Sequence, residues 1–153
     1  MSLSGHLYKG GDIKTSPGSL LRVVGCYEVA ENVAKALSRA LKSVNSELEG
    51  KSGRISKMDA EVHARIGGGG VKILVAVSDD YDSVKEVIGV NVRDFGETKS
   101  MERALYELNK KLEGVKGEIV DVFSTTRLSL ALPGWVYTTL IVAVNKLEGK
   151  TTQ

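Results

Sequence analysis

The chain has one cysteine, one tryptophan, two prolines, two phenylalanines and two histidines in 153 residues. The lone Cys26 excludes an internal disulfide framework and cannot by itself build a thiolate metal site. It reads as a small buried hydrophobe. His6 and His63 stand far apart and no cluster of Cys and His exists, so no metal site is expected. No apolar run approaches the roughly 20 residues that cross a bilayer, and the N-terminus lacks a basic segment followed by a hydrophobic stretch of signal-peptide type. The expectation is a cytoplasmic, globular protein with no membrane partner. Strong charge of one sign is also missing: 21 Lys and Arg face 19 Asp and Glu, for a net charge of +2. That balance does not by itself call for nucleic acid. Catalytic signatures are lacking too, with no Ser/His/Asp arrangement, no nucleophile elbow and no carboxylate pair at a telling spacing.

What the sequence does contain is one pattern written twice. Val75-Ala76-Val77 recurs as Val142-Ala143-Val144, 67 residues on, and the hairpin glycine Gly67 recurs at the same offset as Gly134. A helical apolar ladder starts at Val33 and again at Met101, an offset of 68. Three landmarks in register point to an internal duplication. Charge divides unevenly between the copies: residues 1–78 carry 11 Lys or Arg against 7 Asp or Glu, and residues 79–153 carry 10 against 12. Such asymmetry places a basic face toward an acidic partner, or makes unlike halves attract within a subunit or between subunits, the reading favoured here.

Residues 1–19, rich in glycine and serine and without either apolar period, read as an N-terminal arm. A strand is predicted from about Leu20 to Tyr27. Val33, Ala36, Leu37, Ala40, Leu41, Val44 and Leu48 then fall on one stripe of a helix that ends at Gly50. From Met58 to Ile66 the period becomes two, which predicts a strand with one wet face bearing Asp59, Glu61, His63 and Arg65. Gly67 to Gly70 turn the chain, and Val71, Ile73, Val75 and Val77 lie on one face of the returning strand. Residues 79–83 form an acidic linker. The second copy runs from a strand at about Val84 to Arg93, through a helix capped by Thr98 with its stripe on Met101, Ala104, Leu105, Leu108 and Leu112, to a hairpin of Ile119–Leu132 and Trp135–Val144. The fold predicted is α+β: tandem β-α-β-β units at 20–78 and 84–146, in one antiparallel sheet of about six strands covered on one face by two helices. Residues 147–153 read as a polar tail.

Each half resembles the dodecin module, a small strand-helix-strand-strand protein that assembles into hollow shells and binds flavin. Leu21-Arg22-Val23-Val24-Gly25, the following helix and the hairpin ending in Val71 to Val77 carry the likeness in order and length. The resemblance implies a homo-oligomer and a flat ligand. It does not extend to the flavin contacts, because the tryptophan stands at a hairpin tip as Trp135, and Tyr137, Thr138 and Thr139 offer hydroxyls where dodecins place a glutamine. No flavin-binding residue is therefore carried over, and the cofactor is left unknown. The helix and long hairpin of the second half are similar to the end of Alba-type chromatin and RNA-binding proteins, a pattern the first half does not follow.

Several places invite a functional reading. Gly67-Gly68-Gly69-Gly70 with Lys72 offers amides and a cation to a phosphate, but it lies between two strands, where a hairpin tip is the competing reading. His63 beside carboxylates could serve as a base, against a solvated strand face. Lys35, Arg39 and Lys42 form a basic stripe on the first helix, and with Arg54 and Lys72 they make the case for a nucleic-acid module. Trp135, Tyr137, Thr125 and Arg127 join aromatic planes, hydroxyls and a cation at one hairpin end, a set able to stack a flat ligand or a neighbouring subunit. The leading expectation is a non-enzymatic homo-oligomeric protein that binds a small planar ligand there. The alternatives are nucleic-acid binding through the basic helix face and glycine-rich tip, and a small enzyme of unknown reaction centred on His63 or Cys26.

Overall fold

Runs of alternating β-branched residues and two apolar stripes at helical spacing set six strands and two helices. The computed structural model describes residues 18–147. His6, most of the expected arm and all but the first residue of the expected tail lie outside the described residues. In chain order the elements are β1 (Leu21–Ala30), α1 (Val33–Glu49), β2 (Arg54–Arg65), β3 (Gly68–Ser78), β4 (Val84–Phe95), α2 (Glu97–Leu112), β5 (Gly117–Leu128) and β6 (Trp135–Lys146). The class is α+β, and both halves have the order β-α-β-β.

The six strands do not make one sheet, as the sequence predicts; they make two antiparallel sheets of three, ordered β1-β3-β2 and β4-β6-β5. The last strand of each half takes the centre and is paired on both sides by strands of its own half. Among the described residues no ladder runs from one sheet to the other. Register shifts between Ile55 and Lys57 in β2, and between Ile119 and Asp121 in β5, bend the two strands that would have to pair. Side chains close the seam instead. Asn145 Oδ1 accepts the Ile55 amide and its Nδ2 donates to the Ile55 carbonyl, both at 2.8 Å, while Asp121 accepts the Met58 amide at 3.0 Å.

Nor do both helices cover one shared face. One core cluster joins α1 and the inner face of the first sheet to Val87, Ile141 and Ala143 of the second. The other packs Ala104 and Leu108 of α2 on the opposite face of that second sheet, against Ile88, Leu140 and Val142. The second sheet is thus covered on both faces, and β6 is buried along almost its whole length.

The common frame of the two halves differs from the one read in the sequence. Buried Ala36, Ala40 and Val44 of α1 correspond to buried Ser100, Ala104 and Leu108 of α2, an offset of 64, and the offset of 67 holds only for β3 and β6. The expected match of Val33 with Met101 is a slip of one helical turn, which preserves an apolar stripe and so escapes detection by periodicity. The difference between the two offsets is taken up by the longer loop of the second hairpin. One cap differs from expectation. Gly50 ends α1 as the sequence predicts, with φ −91°, but α2 starts after Gly96 (φ 98°), leaving Thr98 inside the first turn.

Candidate functional site

Strand alternation assigns the ligand-like residues to one surface. Phe95 pairs with Trp135, Tyr137 is paired by Arg93 on one side and Arg127 on the other, and Thr139 by Asn91 and Thr125. Paired residues in an antiparallel sheet share a face, so all of these point to the side of the second sheet on which α1 packs. α1 begins at Val33, and the hairpin end of the sheet runs on past it. The outcome is a cleft of about 420 Å³ whose walls include Arg127, Tyr137 and Asn91, the start of α1 at Asn32 and Val33, and the first hairpin turn at Ile66 and Gly67.

Inside it, Arg127 donates from Nη1 to Thr139 Oγ1 at 3.1 Å and from Nη2 to Asn91 Oδ1 at 3.3 Å. Thr139 Oγ1 in turn donates to Asn91 Oδ1 at 2.6 Å. The guanidinium carbon sits 5.2 Å from the centre of the Tyr137 ring. These partners are neutral, and no carboxylate pairs with Arg127 among the described residues. Burial pulls the Arg127 guanidinium below its ordinary value, with the Tyr137 hydroxyl acting in the opposite sense. A guanidinium stays charged at any ordinary pH, so the cleft holds a partly desolvated cation with no anion beside it. The one carboxylate on the wall, Glu31, is held by Lys35 at 2.6 Å. Asn32 caps α1 by accepting the Lys35 amide at 2.8 Å.

Of the four residues expected at this hairpin, Arg127 and Tyr137 meet in the cleft. Trp135 lies beyond its wall, edge-on to Phe95 at 5.7 Å and under the Arg93 guanidinium at 5.0 Å. Thr125 shares the face but does not line the cleft. Sequence reasoning missed Asn91 and noted the Thr139 hydroxyl without assigning it to the site; both orient the arginine. The signal present was Asn91 itself, a poor strand former in the middle of Val90-Asn91-Val92.

No family model, curated protein or solved structure matches this chain.

The basic residues are scattered. Lys35 pairs with Glu31, Lys72 with Glu61 at 3.0 Å, and Arg54 with Asp80 through two hydrogen bonds at 2.9 and 3.1 Å. Arg39 donates to the Val29 carbonyl at 2.9 Å, and Lys42 is exposed. The glycine run is not all turn: the loop is Ile66-Gly67, and Gly69 lies in β3, where a Cβ would stand 2.7 Å from the Val33 amide nitrogen. His63 is exposed, 3.4 Å from Glu61, and edge-on to Tyr27. Cys26 donates to the Ala40 carbonyl at 3.4 Å, and burial pushes its thiol up, away from a reactive thiolate. A larger cleft of about 730 Å³ lies at the other end of the second sheet. Three of its polar side chains are engaged: Asp82 accepts the Gly53 amide, Lys146 pairs with Glu86 and Asn145 holds Ile55.

Proposed function

We propose that the chain is a binding protein, not an enzyme, and that its ligand is a small flat anion of the aromatic carboxylate type. The observation that carries this reading is Arg127, a partly buried cation held by neutral groups against an aromatic face. A ligand carboxylate would take the N–H groups that Thr139 and Asn91 leave unused, and its ring would lie along Tyr137. The opening amides of α1 favour negative charge at the same wall. The volume suits a molecule of one or two rings. Support for a non-catalytic role is the lack of an activated group in the cleft. Ser129 Oγ is occupied by the amides of Ala131 and Leu132, and Glu31 is bound to Lys35.

Isothermal titration with 2-naphthoate tests the proposal. Hydrogen bonds to a charged group contribute about 1.5–3 kcal/mol. Arg127→Leu should therefore weaken binding at least about tenfold, while Arg39→Leu leaves it unchanged. Failure of the wild type to bind, or equal binding by Arg127→Leu, rejects the site. Retention of single-stranded RNA with a steep loss as salt rises would instead favour the nucleic-acid alternative.

A further inference from the structure

One contact inside this chain has both of its halves repeated without a partner among the described residues. In the internal contact, α1 and β2 of the first unit lie on the second sheet. Leu37 reaches the bare backbone of Gly89, 3.4 Å from the place of its absent Cβ. Asn45 donates to the Val87 carbonyl and accepts the Val87 amide, both at 2.8 Å, so it satisfies the open edge of β4. Ile55 and Met58 of β2 are buried at the same seam.

The offset of 64 places Met101, Leu105 and Asn109 of α2 where α1 has Leu37, Leu41 and Asn45, and Ile119 and Val122 of β5 where β2 has Ile55 and Met58. The receiving side recurs as well. Val23 and Gly25 of β1 stand where β4 has Val87 and Gly89, and Leu74 of β3 where β6 has Ile141. Exposure separates the two sets. Ile55, Val87 and Ile141 are 0%, 1% and 0% exposed, whereas Ile119, Val23 and Leu74 are 52%, 67% and 38% exposed. Apolar side chains buried within the chain thus have exposed equivalents on both outer surfaces.

We infer that a second copy of this chain docks head to tail, with α2 and β5 of one copy on the outer face of β1 and β3 of the next, as α1 and β2 lie on β4 and β6. Gly25, like Gly89, lacks a Cβ at this position; in the single chain the Ile73 carbonyl oxygen at 2.5 Å and Leu74 Cδ2 at 2.6 Å border the place a Cβ would take. Asn109 is exposed on α2, and the outward backbone groups of Val23 present it with the same donor and acceptor that Val87 presents to Asn45. Two positions are not repeated: Asp121, which accepts the Met58 amide, has Lys57 as its equivalent, and Arg54 has Glu118. Ser78 replaces Asn145, which leaves the contact between copies one amide lock rather than two. A contact of this kind repeats until it closes a ring or continues as a fibre. It does not depend on the reading of the Arg127 cleft.

Sedimentation velocity with paired variants decides the matter. The wild type should sediment with a mass of more than two chains. Leu105→Glu with Val122→Glu removes one half of the contact and Val23→Glu the other, and each variant alone should fall to the single-chain mass of 16.4 kDa. Mixed in equal amounts they should form a complex of two chains and no larger, since one intact half remains on each. Circular dichroism checks the fold, and Asn109→Lys replaces the double variant if that protein does not fold. A wild type that stays at 16.4 kDa even at millimolar concentration overturns the inference. So does a wild-type mass in either variant, or a mixture that stays monomeric as a symmetric contact would require.

Discussion

Arg54 and Asp80 show how one buried pair joins the first unit to the segment leading into the second. Their side chains are about nine-tenths buried, and two hydrogen bonds run between them. The bond from Arg54 holds the Asp80 carboxyl below its ordinary value, against burial that raises it. An unfolded aspartate titrates near about pH 4. The pair's contribution is therefore complete above that value and is lost as the pH falls through the lower pKa of the folded state. Urea midpoints at neutral pH and near pH 3 should fall further for the wild type than for Asp80→Asn, which is weaker at neutral pH but has less to lose on acidification. Equal pH dependence in the two proteins would remove the pair from this account. No sequence pattern announced it, because the residues lie 26 positions apart and meet only after β2 and β3 have folded.

At the scale of elements, the entry of α1 depends on β3. Gly69 gives the N-terminus of the helix room to touch the strand: an added Cβ would lie 2.7 Å from the Val33 nitrogen and 2.9 Å from its Cα. Those atoms are backbone and cannot turn aside. Gly69→Ala should cost about 1–3 kcal/mol by overpacking, read as a lower urea midpoint. Gly68→Ala is the control, since the nearest atom there is 3.6 Å away. An equal response from both would mean that the strand's flexibility, not the helix contact, sets the cost. The sequence showed the glycine run and its place between two strands. Which glycine was needed against the helix came from contact with a residue 36 positions earlier.

In the whole molecule, two sheets are joined by side chains rather than by a ladder. Asn145 bonds both backbone groups of buried Ile55 and also accepts Ser83 Oγ at 3.0 Å. Asn145→Leu would keep the volume and strand the Ile55 amide and carbonyl out of water, at a cost of about 1–3 kcal/mol for each buried group left unpaired. The expected result is a large fall in stability on chemical denaturation, with Ser83→Ala much milder. A small effect for Asn145→Leu would show that the apolar seam alone holds the sheets together. The same seam, repeated on the outer surfaces, underlies the inferred contact between copies.

Sequence by itself determined the local structure. Periods of two and of 3.6, with glycines at the turns, marked six strands, two helices and their order in each half, because side-chain spacing and backbone freedom are local properties. It also brought Tyr137 and Arg127 to one hairpin, since pairing across a turn fixes which residues face each other. Only the tertiary structure decided that the strands divide into two sheets, that the second is covered on both faces, and that Asn91 and Thr139 hold the arginine. Those outcomes depend on contacts between residues far apart in the chain. Two bulged strands turned away from pairing, and an amide with a carboxylate took the place of a ladder, a choice that no periodicity records.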